Sequence, residues 1–573
     1  MGMIADIMLR GKARRGFNEQ VLEAALASGK SDIVATQVEL LCDGAMGRFP
    51  NEHLPIKVAP LLRTLGDRQL RRCPNACLVG AMELCLSAFH DSRDAAGVYL
   101  ALARESWGDR AEGSGREALA LALVESLYYL SSWNEGKAAL GRARLGYVLA
   151  NSEESDLWMG TTYYAQALDC LLQSDDAGYA DFLSRARESA HRCGSVGLEV
   201  SCAVTEAMYL LERGRLSEAW DVLQSMVRLF GADAGGASFS ASIDATKAII
   251  CFLQADYGEA EEYFDRAEEA FDSTAEAFAE RISALWRIML AMERGQYAQA
   301  EGLLCDLEDR ASWPALRECC DAFALQISLR RNPENASARS EALMWCDDFT
   351  LPESLMKGQV GSGRCSDALE WLAKYCAYRL LRVELGLADT QDGRRFEIVR
   401  RTLEERDIDL FNVPLLVRDG EEAILRGDTT QARGLLERAL EKGKSGMLVQ
   451  PFCQHAFLIA PTLESIAQKD DPVAHFASFV LQSDAFADSA RRLRVFPRSA
   501  DKRRETLIRW GLTSQEAEVA ELAGSGLTNG EIAERLFVTV ATVKSHLNRA
   551  YHKAHVKGRK ELAEKLNDEA MLS

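Results

Sequence analysis

No run in this 573-residue chain approaches the roughly 20 consecutive apolar residues that a bilayer-spanning helix needs. Its first residues, MGMIADIMLRGKARRGF, lack an apolar core followed by a cleavage site. The two absences together lead us to expect a cytoplasmic protein with no membrane partner. Metal-binding spacing is missing as well. The 15 cysteines are odd in number, scattered and absent after Cys453. The closest groupings are Cys73 with Cys77 (CPNAC) and the adjacent Cys319 and Cys320, and neither recurs with His or Cys partners at zinc spacing. Such cysteines read as small buried hydrophobes of a reduced protein. Catalytic constellations are lacking too. The eight histidines are isolated, Ser and Cys have no partner base in a known motif, and the carboxylates read as solvated helix faces. We therefore expect no metal, no cofactor and no enzymatic activity.

One local absence is informative in the other direction. From Arg535 to Lys560 there is no Asp or Glu, while seven Lys or Arg occur. The chain as a whole carries 67 basic and 86 acidic residues, a formal net charge of -19. Residues 489–573 hold 16 basic and 11 acidic side chains, so this part is +5 and the preceding 488 residues are -24. An acidic body is repelled by phosphates and anionic membranes, whereas the basic end attracts them.

Helical periodicity fills what remains. Residues 17–120 show apolar positions at three- and four-residue spacing and almost no alternation of the strand kind. Further on the sequence repeats itself in LERGRLSEAWDVL (Leu211 to Leu223), FLQADYGEAEEYF (Phe252 to Phe264) and MERGQYAQAEGLL (Met292 to Leu304). The small residues Ala219, Ala260 and Ala300 fall 41 and 40 positions apart. Weaker copies occur at Tyr129 to Leu140, Leu171 to Leu183 and Ile424 to Leu436. A period near forty with one helix pair per repeat predicts an α-solenoid, each pair burying its face against its neighbours and the stack offering a long surface to a partner. Trp133, Tyr163, Tyr164, Trp220, Trp286 and Trp345 either line a ligand groove or fill the core, and the core reading is the stronger.

AALASGKS (Ala24 to Ser31) imitates the end of a phosphate-binding loop through Lys30 and Ser31. The preceding NEQVLEAALA is a helix, not a buried strand, so the segment reads as the turn between paired helices. Ser489 to Arg504 carries seven basic residues, one acid and a Pro, which suits a linker. The sequence thus predicts a repeat domain over 1–488, a basic linker over 489–507 and a small domain over 508–573.

Local signals in the last region agree. Thr513 with Glu516 forms a capping box, and Thr528 with Glu531 a second one that opens the next helix. Leu536, Phe537 and Val538 form a turn, and Thr539 is placed to cap a third helix. On that helix Val540, Val543, Leu547, Ala550 and Ala554 recur at three- and four-residue spacing and are expected to pack inward. Lys544, Ser545, Asn548, Arg549 and His552 fall on the other side. Lys and Arg reach guanine acceptors or phosphates and Asn pairs with adenine, so this face suits the major groove of double-stranded DNA.

LTSQEAEVAELAGSGLTNGEIAERLFVTVATVKSHLNRAYHKAHVKGRKEL resembles the LuxR-type helix-turn-helix nearly end to end. The resemblance implies a four-helix domain with Asn529 to Arg535 as scaffold helix and Val540 to Ala554 as recognition helix, and a last helix, Arg559 to Leu566, that helps the domain dimerise. It implies DNA contacts at Lys544, Ser545 and Asn548. Thr528, Asn529, Thr539, Thr542, His546, Arg549 and Lys553 complete the expected DNA-binding set, and RNA polymerase is an expected partner. Departures from the family pattern are Gln515 for Arg, Gly530 for Lys, and Ala554-His555 for Leu-Gly. The repeats resemble the tetratricopeptide-like repeats of MalT-type regulators. Glu23 to Leu41 and Leu70 to Asp91 resemble the repeats that directly follow the nucleotide-binding part of large ATP-dependent LuxR-type proteins, which implies a regulator lacking that motor. The expected architecture is an all-α solenoid followed by a helix-turn-helix domain. Two functions fit it: a homodimeric transcription regulator whose solenoid senses a small-molecule or protein effector, or a solenoid scaffold that sequesters another regulator as an anti-activator.

Overall fold

Seven turns among the described residues share one narrow range of geometry, and it recurs through the repeats. Gly29, Gly194, Gly214, Ala255, Gly295, Gly386 and Gly427 all adopt φ between 65° and 80°. At each, the next amide donates to the carbonyl five residues back, as in Arg215 N–H to Leu210 O (2.9 Å), Asp256 N–H to Cys251 O (2.9 Å) and Gln296 N–H to Ala291 O (2.8 Å). This closure satisfies carbonyls that a helix end would otherwise strand. Ala255 adopts the left-handed conformation without glycine's freedom.

The computed structural model describes residues 17–46, 58–86, 93–112, 115–130, 135–151, 156–173, 175–230, 237–271, 277–310, 314–332, 335–357, 366–387, 396–493, 510–524, 527–536, 539–562 and 565. No strand occurs among them. Helices α1 (Glu19–Ala27), α2 (Ser31–Met46), α3 (Val58–Arg63), α4 (Asp67–Leu70), α5 (Pro74–Leu86) and α6 (Arg93–Trp107) open the chain. The hairpins α7–α8 (Arg116–Leu130, Glu135–Asn151), α9–α10 (Asp156–Leu172, Asp176–Cys193), α11–α12 (Val196–Glu212, Leu216–Phe230), α13–α14 (Ala237–Leu253, Tyr257–Phe271) and α15–α16 (Ala277–Glu293, Tyr297–Arg310) follow, each helix packed on its partner. Next come α17 (Pro314–Arg331), α18 (Ala336–Asp347), α19 (Glu353–Met356), α20 (Ser366–Glu384), α21 (Glu397–Glu405) and the hairpin α22–α23 (Asp409–Leu425, Thr429–Gly443). Helices α24 (Gln450–Cys453), α25 (Ala456–Ile466), α26 (Pro472–Gln482) and α27 (Asp484–Leu493) complete the solenoid. The chain divides into two compact units, residues 1–327 with 341–489, and residues 328–340 with 490–573.

Ala219, Ala260, Ala300 and Ala432 each sit five residues after a left-handed turn residue and are completely buried. A methyl group at this position lets the second helix of a hairpin approach the first, which is why the repeat keeps a small residue there. In the weaker copy at Leu171 to Leu183 the same place holds Tyr179, 2% exposed. The larger unit also contacts itself across long sequence distances. α22 packs on α11 and α24 on α13, and Val449 N–H donates to Leu253 O at 3.0 Å. A Cβ on Gly446 would collide with the Gly214 carbonyl, so this contact requires glycine.

Gly29 of the GKS segment (φ 65°) forms the turn between α1 and α2, with Lys30 N–H donating to Ala25 O at 2.9 Å. The described cysteines are free, and all but Cys193, Cys305 and Cys376 are buried. Burial pushes the Cys73 thiol up to about 12, which disfavours the reactive thiolate. Tyr164 is fully buried, its hydroxyl 2.9 Å from that of Thr205. Trp220, Trp286 and Trp345 pack against Tyr263, Phe252 and Phe349 at centroid distances of 5.6, 5.6 and 5.8 Å. Trp133 lies outside the described residues.

The carboxylates include a correction. Asp419, Glu421 and Glu422 on α22 are buried rather than solvated. Arg379 of α20, 1% exposed, donates to Asp419 at 2.7 Å and lies 3.0 Å from Glu422. Arg400 of α21 also pairs with Asp419. Arg418 donates to Glu421 at 2.5 Å, and His455 stands 3.3 Å from the same carboxylate. Buried charges persist only when paired and hydrogen-bonded, and here the pairing ties α20, α21 and α22 together.

Candidate nucleic-acid interface

The C-terminal helices are α28 (Ser514–Gly524), α29 (Asn529–Arg535) and α30 (Val540–Lys553), with helical backbone again at 559–562. α28 and α29 both pack on α30. One apolar cluster joins Leu512, Ala517, Ala520, Ala550, Ala554 and Leu562, and a second joins Val519, Ala523, Ile532, Ala533, Val543 and Leu547. A domain this small has a thin core, so its polar links carry weight.

Thr513 N–H donates to Glu516 Oε2 at 3.0 Å and Glu516 N–H to Thr513 Oγ1 at 3.4 Å, the reciprocal capping box expected from the sequence. Glu516 also takes a 2.6 Å bond from Lys553 Nζ at the far end of α30. The Lys553 ammonium and the Thr513 amide hold this buried carboxyl at about 2. Thr539 caps α30 by accepting from Thr542 N–H at 3.1 Å, and the two threonine hydroxyls lie 2.9 Å apart. Glu531, of the second capping box, has a side chain outside the described residues.

At its other end α30 closes on His555, φ 54°, with Val556 N–H donating to Tyr551 O at 3.0 Å. The helix thus ends in the usual left-handed closure although a histidine stands where glycine fits best. Arg559 binds both the Leu527 carbonyl and Asn529 Oδ1, fastening the residues after α30 to the start of α29. Lys565 donates to Ala554 O at 2.8 Å and lies 4.7 Å from the centre of the Trp510 ring.

The expected DNA-binding residues fall into three groups. Lys544, Ser545, Asn548 and Arg549 are exposed together on α30, with Arg549 donating to Ser545 Oγ at 3.0 Å, and His552 is exposed as well. Thr528 and Thr539 are exposed at the starts of α29 and α30, and Thr542 is half-buried. Asn529, His546 and Lys553 are half-buried. The structure commits Asn529 to Arg559 and Lys553 to Glu516, and it encloses His546 Nδ1 with no hydrogen-bond partner. The inward set is buried at Val543, Leu547, Ala550 and Ala554, but Val540 is a correction: it is 43% exposed. Helical spacing puts Val540 at the margin of the apolar stripe, where side chains are only partly covered.

Two helices four residues apart in sequence, the second displaying Lys, Ser, Asn and Arg outward from a buried opposite face, suit a major-groove reader; Phe537 and Val538 of the expected turn lie outside the described residues. Residues 511–566 match the family model described as bacterial regulatory proteins, luxR family. This segment is a LuxR-type helix-turn-helix domain. The chain is also similar to the transcriptional regulatory protein LnrK of Bacillus subtilis (strain 168), with 29% identity over 205 residues. That match covers 32% of this chain and 85% of LnrK, so it extends well beyond the LuxR-type domain. No described helix is long and apolar enough to cross a membrane, and no described cluster of three or more His, Cys, Asp or Glu is placed to hold a metal ion.

Proposed function

We propose that this chain is a cytoplasmic, non-enzymatic transcription regulator. Residues 508–573 form its DNA-reading domain, 489–507 a basic linker, and 1–488 a tetratricopeptide-like repeat domain that binds a small-molecule or protein effector. The observation that carries the reading is the exposed row of Lys544, Ser545, Asn548 and Arg549 on a helix whose opposite face is buried within a LuxR-type domain. The printed name of LnrK, a transcriptional regulatory protein, supports it.

In this reading α30 enters the major groove. Lys544 and Arg549 engage guanine edges or phosphates, Asn548 an adenine, and Ser545 either base edges or backbone. Thr528 and Thr539 contact the flanking phosphates. One such helix reads one half-site, so a homodimer on a two-half-site operator roughly doubles the contacts. The effector acts through the solenoid by favouring that dimer, and bound dimers contact RNA polymerase.

Genome-wide mapping of the fragments bound in cells tests the proposal. The full chain should occupy discrete sites that the Lys544→Glu chain vacates. Identical maps for the two would favour the rival reading, a scaffold that sequesters another regulator.

A further inference from the structure

The first turn of α30 displays carbon on its exposed side. Val540 is 43% exposed and Ala541 beside it is exposed. Val540 is the single large hydrophobic residue of the LuxR-type domain among the exposed ones described; Leu26, Val98, Leu140, Leu149, Leu229, Met344, Ile398 and Phe479 all belong to the solenoid. The polar atoms nearby are already engaged, since Thr539 accepts from Thr542 N–H and the two hydroxyls face each other. Val540, Lys544 and Asn548 follow at i, i+4 and i+8, so they stand in one row along the exposed face. In helix-turn-helix proteins the N-terminal residues of the recognition helix contact base edges.

An isopropyl group in that row has one apolar target in the major groove, the 5-methyl group of thymine. We propose that Val540 determines sequence specificity by packing on a thymine 5-methyl group, adjacent to the bases met by Lys544 and Asn548. The inference rests on the DNA-binding reading above and adds the identity of a base to it. Covering a single carbon is worth about fourfold in affinity, from ~0.8 kcal/mol per buried methylene-sized group. The preference is therefore moderate, and it depends on the methyl group rather than on hydrogen bonding.

The test uses the full chain and selection from random-sequence DNA duplexes. Wild type should enrich a sequence with a fixed thymine. Replacing that thymine by deoxyuridine, which lacks only the methyl group, should weaken wild-type binding about fourfold. Val540→Ser, whose position is exposed and whose fold is checked by unchanged hydrogen exchange in α28 and α30, should bind the thymine and deoxyuridine duplexes equally. If wild type tolerates deoxyuridine at every selected thymine, the Val540 inference is overturned while DNA binding stands. If no sequence is enriched, or Lys544→Glu enriches the same one, the DNA-binding reading itself falls and takes the inference with it.

Discussion

Lys544 and Lys553 lie on the same helix, yet they serve different ends. Lys544 is exposed, whereas Lys553 is bonded to Glu516 at 2.6 Å. Lys544→Ala should therefore flatten the salt dependence of DNA binding by about one unit of log–log slope. Lys553→Ala should change that slope little and instead loosen α28 and α30, seen as faster hydrogen exchange across both helices. The Glu516 carboxyl, held at about 2, adds a pH signature. A depressed carboxyl stabilises the folded state fully above its unfolded value near 4.3 and loses that contribution as pH falls toward 2. The gap in denaturant midpoint between wild type and Glu516→Gln should be widest near neutral pH and close on acidification through that window. His555 supplies the opposite case. At φ 54° a side chain is strained, so His555→Gly should stabilise the C-terminal unit by about 1 kcal/mol.

At the level of helices, much of the architecture was legible because local chemistry dictates it. Ala219, Ala260 and Ala300 mark the repeat in the sequence itself, and the left-handed turn five residues before each explains why the spacing is so regular. Thr513 with Glu516 and the Thr539 cap were equally readable, since each bond spans three residues. Long-range pairs were not. Glu516 meets Lys553 and Arg379 meets Asp419 only once the fold brings their helices together, and a carboxylate on an amphipathic helix reads as solvated until a partner helix covers it. Val540 differs from its expected inward position for the same reason, because spacing defines a stripe but not its covered edge. The buried network makes a prediction at this scale: Asp419→Ala removes the carboxylate shared by Arg379 and Arg400, leaving Glu422 alone to pair with Arg379, and should cost about 3 kcal/mol, measured by chemical denaturation.

Across the whole molecule, charge is a quantity that a local view omits. A body of -24 is repelled by the same phosphates that attract a terminal region of +5, so in the proposed regulator attachment to the solenoid should weaken non-specific DNA binding. The contact of residues 446–449 with the turns at Gly214 and Leu253 joins repeats far apart in sequence. The most direct measurement of the central claim is retention of genomic fragments by purified full chain at moderate salt, beside Lys544→Glu and Asn548→Ala. The account predicts that wild type retains a distinct subset, that Lys544→Glu retains none of it, and that Asn548→Ala retains it with relaxed selectivity. Equal retention of the same fragments by wild type and Lys544→Glu would contradict it.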